Sequence, residues 1–167
     1  MDEGAHAALW FVWMFGPPAS VIAEVETRTP GLSVEDNAVL VYRWPGGLLG
    51  VHQTSWTELA AENTIEVFGD RGSLVATGTD IASTRSLPEG TAPLRLWTTE
   101  QGAWTQPGVA LVRGRSELVA GPLTDCIVQD KPSPVPADWG RVAVGMVLGG
   151  YRSAREGVRV SLPLPRG

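Results

Sequence analysis

Asp2 and His6 stand four residues apart in "DEGAH" (2–6), near the start of the chain. In a helix that spacing puts both side chains on one face, one turn apart. A carboxylate beside an imidazole fixes the orientation of the ring, which suits a proton acceptor working near neutral pH. Gly4 lies between them and allows close approach of a ligand or another backbone. Taken alone, the pair reads more simply as an Asp capping a helix, with an incidental His in its second turn.

Other candidates are sparse. His52 and Trp56 fall on one face of a strand pattern with Leu48 and Thr54, which reads as a half-buried strand with a satisfied histidine. Glu35-Asp36, at a strand start, reads as a solvated turn. The one cysteine, Cys126, excludes an intramolecular disulfide and a cysteine metal cluster. It lies in an apolar helical segment and is expected to be a buried structural thiol. Two histidines are too few for a convincing zinc site, so no metal is expected.

A chain of 167 residues suits one globular domain spanning 1–167, and 43% hydrophobic with 19% charged residues argues against disorder. The formal net charge of −5 argues against a nucleic-acid partner, which needs a clustered basic surface. Arg152, Arg155 and Arg159 are explained by the C-terminal end of a helix and its solvated face. No Lys or Arg precedes Arg28, so the start lacks the basic region of a secretory signal. The apolar run 7–15 is short of the roughly 20 residues that span a bilayer, and no membrane partner is expected. A reducing cytoplasm fits the cysteine usage.

The elements that must position these residues follow from periodicity. Residues 3–15 read as a buried amphipathic helix stopped by Gly16-Pro17-Pro18, with Trp10 and Trp13 in its core face. Period-two patterns follow at 20–29, 36–44 and 48–57, the last two joined by a turn at Pro45-Gly46-Gly47. A hairpin at 63–69 and 72–78 turns at Asp70-Arg71, with weaker strands near 80–85, 94–99 and 103–106; Trp97 and Trp104 read as cross-strand or edge packing residues. Residues 115–130 look helical, though Gly121-Pro122 is expected to break that helix or delay its start. Asp138 is a candidate N-cap for a helix of about 18 residues ending at Gly157, and 158–164 reads as a final strand.

This order predicts an α+β domain: an open, mainly antiparallel sheet with helices packed on one face. Strand 36–44 is apolar on both faces, so the face the helices leave uncovered is expected in a homo-oligomer interface. "GDRGS" (69–73) lies between two strands and is a hairpin turn, not a phosphate cradle. Neither a βαβ series nor a convincing Ser-His-Asp arrangement is apparent.

Together, "DEGAH" (2–6), "VEDNAVLVYRWPGGLLGVHQTSW" (34–56), "IEVFGDRGSLV" (65–75) and the closing stretch 123–162 resemble the C-terminal domain of the glucose-fructose oxidoreductase / inositol dehydrogenase / rhizopine catabolism (Gfo/Idh/MocA) family. The resemblance covers nearly the whole chain and is weakest over 79–114. It implies the substrate-binding and oligomerisation portion of an NAD(P)-dependent oxidoreductase acting on the CH–OH group of a sugar or polyol. By the family pattern His6 takes the hydroxyl proton, while Asp2 orients His6 or holds a substrate hydroxyl. NAD or NADP belongs to a Rossmann domain, supplied in cis or in trans, which also carries a catalytic Lys. That domain is missing from this sequence, so no cofactor is expected to bind this chain alone, and Met1 is expected to be an internal methionine of a longer parent. The alternative is a stand-alone, non-catalytic assembly or ligand-binding module derived from the same domain.

Overall fold

The computed structural model describes residues 2–58, 63–77, 94–108 and 116–165, with the side chains of residues 2 and 116–120 outside the description. They divide into two compact units, one made of 1–58 with 132–167 and the other of 59–131. Each is an antiparallel sheet of four strands accompanied by helix, so the α+β expectation holds. The strands fall into two sheets where periodicity suggested one. The weak strand expected near 80–85 lies outside the described residues.

The first unit holds helix α1 (Asp2–Phe15), strands β1 (Ser20–Glu26), β2 (Asn37–Arg43) and β3 (Leu49–Ser55), helix α3 (Ala137–Glu156) and the two-residue strand β8 (Val160–Ser161). Its strand order is β3-β2-β1-β8. Acidic residues at the start of α1 complement the positive end of the helix dipole, and three alanines favour the helical state. It stops where Gly16, at φ 72°, returns its amide to the Val12 carbonyl. The β2–β3 hairpin turns at Pro45-Gly46-Gly47 as expected, with Gly46 and Gly47 at φ 87° and 96°.

Side-chain alternation then fixes what each face meets. Val21, Ala23, Leu40 and Tyr42 are buried with Ala8 and Val12 of α1 and Ala143, Met146 and Val147 of α3. Each such large apolar side chain contributes about 1.5–3 kcal/mol on leaving water. Around them Phe11, Phe15, Tyr42 and Trp44 form an edge-to-face aromatic cluster, with Trp10 at its margin. Trp10 is half-buried, but Trp13 is 62% exposed and is not a core residue as its spacing suggested. The α1 stripe facing the sheet is Gly4-Ala8-Val12, and Trp13 falls one step past it.

Helix α3 lies close on the sheet because small residues face it. Built at Gly150, a Cβ would meet Leu40 Cδ2 at 2.5 Å, and at Gly149 it would meet Leu162 Cδ2 at 2.9 Å. Strand β8 runs out after pairing with Ser20 and Val21, which leaves the outward amide of Ala23 without a strand partner. The buried Ser153 of α3 accepts that amide at 3.0 Å, doing for one residue what a longer β8 would have done. Gly157 ends α3 in the left-handed conformation, as expected. At the other end Pro136, not Asp138, is the N-cap; Asp138 sits in the first turn, where its charge suits the helix dipole.

The opposite face of this sheet carries Ile22, Val39, Val41, Leu49 and Val51, of which Val51 is 64% exposed. The two-sided apolar character of β2 is therefore real, with helices on one side only.

The second unit holds β4 (Thr64–Gly69), β5 (Gly72–Thr77), β6 (Leu94–Thr98), β7 (Trp104–Thr105) and helix α2 (Ser116–Val128), with strand order β4-β5-β6-β7. The β4–β5 turn falls at Asp70-Arg71, and Trp97 pairs with Trp104 across strands, both as read from the pattern. Arg95 lies over the Trp104 ring at 5.3 Å. Helix α2 runs unbroken through Gly121-Pro122, contrary to expectation: proline removes one amide donor, and the helix on either side persists. Cys126 is half-buried, more open than the buried thiol its apolar surroundings implied.

Candidate functional site

The first turn of α1 presents two different faces. Gly4 is buried and points at the sheet and α3: a Cβ there would lie 3.7 Å from Val147 Cγ2 and 3.8 Å from His52 Cε1. Successive helical residues are about 100° apart, so positions 2 and 6 fall on the side of the helix away from Gly4. His6 is accordingly exposed. The backbone places Asp2 one turn before His6 on this outer face, and the Asp2 side chain lies outside the described residues. The "DEGAH" spacing is thus helical, and its glycine is the inward-facing member of the motif.

Behind that turn lies a cavity of about 450 Å³ in the first unit. Glu3 and Gly4 of α1 form one wall, Val147, Gly150 and Tyr151 of α3 another. Its floor is the ends of the strands, with Val25, Ala38, Leu40 and Thr54, and its rim is Leu32, Val34 and Trp56. His6 does not line it. Two expected strand residues part company here: Trp56 reaches the cavity, while His52 is buried at 8% exposure and is not among its lining residues. His52 Nδ1 has no hydrogen-bond partner among the described residues, so this histidine is not the satisfied one expected. Burial pushes the His52 imidazole below its ordinary pKa.

Residues that pattern reading assigned to a solvated turn organise this cavity. The Asp36 carboxylate is buried and accepts the backbone amides of Arg28 and Thr29, each at 2.8 Å, and the Asn37 side chain at 2.9 Å. Its own amide donates to the Glu26 carbonyl, and its carbonyl accepts the amide of Trp56. Hydrogen bonds from Thr29 and Arg28 hold the Asp36 carboxyl well below the usual carboxylate range. One residue therefore ties the end of β1, the loop 27–35 and the end of β3 into the cavity rim.

Glu35, next to it, turns into the cavity and accepts a hydrogen bond from the Tyr151 hydroxyl of α3. Burial pushes its carboxyl up, but hydrogen bonds to the carboxylate, that of Tyr151 among them, outweigh burial and leave it below its ordinary value. The Tyr151 hydroxyl is pushed well above the usual phenol range by burial, then by Glu35. A signal was available in the sequence: an Asp that follows a polar loop and opens a strand commonly caps nearby amides. No periodicity could have shown that Tyr151 meets Glu35.

A dinucleotide needs a glycine-rich strand-to-helix turn in a parallel βαβ unit. The sheets of the described residues are antiparallel throughout and offer no such cradle. Nor do the described residues group His, Cys, Asp and Glu into a metal site. No helix among them is long and apolar enough to cross a membrane.

The arrangement defines an α+β domain whose first helix shows an Asp/His pair of positions outward and a cavity inward. Residues 1–75 match the GFO/IDH/MocA C-terminal domain family model, the family the motifs suggested. Among solved structures, the WlbA dehydrogenase from Bordetella pertussis, in complex with NADH and UDP-GlcNAcA, is 23% identical with a TM-score of 0.73, over 99% of this chain and 45% of that one. The aldose-aldose oxidoreductase from Caulobacter crescentus, complexed with glycerol, is 21% identical with a TM-score of 0.74, over 95% and 46%. An oxidoreductase from Agrobacterium radiobacter, in complex with NAD+, L-tartaric acid and magnesium, is 16% identical with a TM-score of 0.72, over 95% and 47%. These likenesses show the fold, and the chain spans about half the length of each. A search of the curated proteins found no match.

Proposed function

We propose that this chain is the substrate-binding and oligomerisation portion of an NAD(P)-dependent oxidoreductase acting on the CH–OH group of a sugar or polyol. The observation that carries the reading is the outward face of α1, where exposed His6 follows Asp2 by one turn within the part of the chain that matches the family. His6 takes the hydroxyl proton, and Asp2 orients the imidazole or holds a substrate hydroxyl. The hydride leaves for NAD or NADP held by a Rossmann half, in cis or in trans, and this chain alone binds neither. Solved relatives with NADH, NAD+ and sugar or polyol ligands support this assignment of cofactor and substrate class. The apolar sheet face with Ile22, Val39, Val41, Leu49 and Val51 is the homo-oligomer surface, and the setting is a reducing cytoplasm.

The test is to supply a Rossmann half, fused or separate, and follow NAD(P)H absorbance with a panel of sugars and polyols. His6→Ala is expected to lower the rate at least about a hundredfold, the scale of a lost general base. A rate left near that of the unmodified protein would remove His6 from the chemistry.

A further inference from the structure

His52 is a buried titratable group that the proposed chemistry leaves unused. It sits mid-strand in β3, opposite Leu40 of β2, and is 8% exposed. Its Nδ1 has no hydrogen-bond partner among the described residues. The first turn of α1 lies over the ring: a Cβ built at Gly4 would stand 3.8 Å from His52 Cε1 and 3.7 Å from Val147 Cγ2 of α3. The glycine of "DEGAH" thus rests on His52, while positions 2 and 6 of the same turn fall on the outer side of the helix.

An imidazolium donates from both ring nitrogens, so charging His52 puts an N–H at Nδ1 with no acceptor beside it, and a charge out of water. The titratable and charged groups on the surrounding elements are committed or turned elsewhere. On α1, His6 is exposed on the outer side, and Glu3 lines the cavity, which His52 does not. On β2, Tyr42 is buried with its hydroxyl unpartnered among the described residues, and Arg43 is exposed. On α3, Tyr151 donates to Glu35, Asp138 pairs with Arg141, and Glu156 pairs with Arg152 and Arg155. Asp36 accepts the amides of Arg28 and Thr29. Burial is accordingly what holds the His52 ring below its ordinary value.

When a proton reaches the ring, one of its neighbours must yield. Leu40 is held in the continuous β2–β3 ladder, and Val147 lies in the middle of α3. Gly4 belongs to the first turn of a helix, where the leading amides have no intrahelical acceptor, and is the weakest held of the three. We propose that His52 is a positioning residue: neutral, it seats the first turn of α1 and holds the Asp2/His6 face in place; protonated, it releases that turn to water. That the turn carries chemistry rests on the function proposed above; the release itself does not.

The experiment is amide hydrogen exchange of the 15N-labelled chain, followed by NMR from pH 7.5 downward together with the titration of both histidine rings. The amides of His6, Ala7 and Ala8 bond to the carbonyls one turn back and report on the first turn. Their protection is expected to fall at least about tenfold with the midpoint of the His52 ring, while Ala143 and Met146 of α3 keep theirs. His6→Gln and Glu3→Gln should retain this response, and His52→Leu and His52→Gln should abolish it. The proposal is overturned by a His52 ring that stays neutral until the chain unfolds, or by protection that follows the His6 ring instead. It is overturned equally by protection that falls alike in α1 and α3, or by a response that persists in the His52 variants. The two ring midpoints in the unmodified chain decide the matter even if a variant fails to fold. Failure of the oxidoreductase assay would leave these outcomes readable, so the two readings fail separately.

Discussion

Tyr151 and Glu35 are 116 positions apart, yet the phenol of one donates to the carboxylate of the other at the wall of the cavity. That bond joins α3 to the loop before β2 and is shared with solvent on one side. Tyr151→Phe should therefore cost about 0.5–1 kcal/mol, less than a fully buried charged bond, read as a lower urea midpoint with unchanged m-value.

The chain has two tyrosines, and both are held above the usual phenol range: Tyr42 by burial, Tyr151 by burial and then by Glu35. Phenolate absorbance at 295 nm should therefore be slight at pH 10 in the folded protein. Because the folded values are raised, their contribution to stability is complete below about pH 10 and is lost as pH rises beyond it. Glu35→Gln should lower the titration of one tyrosine only. Normal titration of both near pH 10 in a folded sample would contradict these placements.

His52 gives the acid-side counterpart. Its folded pKa is depressed by burial, so the unfolded chain binds a proton first as pH falls. Stability tied to His52 is present above about pH 6.5 and declines below it, until the folded state can also take the proton. Chemical denaturation at pH 7.5, 6.5 and 5.5 should show the decline, and His52→Leu should flatten it. A decline of the same size in His52→Leu would assign it to other groups.

Two glycines of α3 should respond oppositely to one methyl group. Gly150→Ala pushes a Cβ to 2.5 Å from Leu40 Cδ2 in the core and should cost about 1–3 kcal/mol. At Gly145 nothing lies within 4 Å, and Gly145→Ala should stabilise by up to about 1 kcal/mol through helix propensity. Paired thermal melts read both.

The uncovered sheet face makes its own test. Val51→Lys replaces a side chain that is 64% exposed, so the melt of the isolated fold should change little. Light scattering should nonetheless shift from an oligomer in the unmodified chain to a monomer in the variant. An unmodified chain that is monomeric at micromolar concentration would remove this face from the interface.

Much of the first unit was legible because its signals are local. The Gly16-Pro17-Pro18 stop, the β2–β3 turn at Pro45-Gly46-Gly47 and the cap at Gly157 each follow from backbone preferences of one or two residues. Alternation in 36–44 also announced a strand with two apolar faces. Of the candidate site, only the helical spacing of Asp2 and His6 was readable. The cavity rests on the long-range meeting of Glu35 with Tyr151, which no period encodes, and on Asp36 capping the nearby amides of Arg28 and Thr29, a local signal that the solvated-turn reading passed over. Trp13 failed for a related reason: an apolar residue's type does not say which side of a helix the sheet will take.

Arg28 and Thr29 are both exposed, yet their amides end on a buried carboxylate. For the loop 27–35, wetness and looseness therefore separate. Solvent can reach its side chains while Asp36 holds the backbone beneath them, so hydrogen exchange at these two amides should be slow for a surface loop and should quicken in Asp36→Ala. A rim of that kind keeps its shape before anything arrives at it.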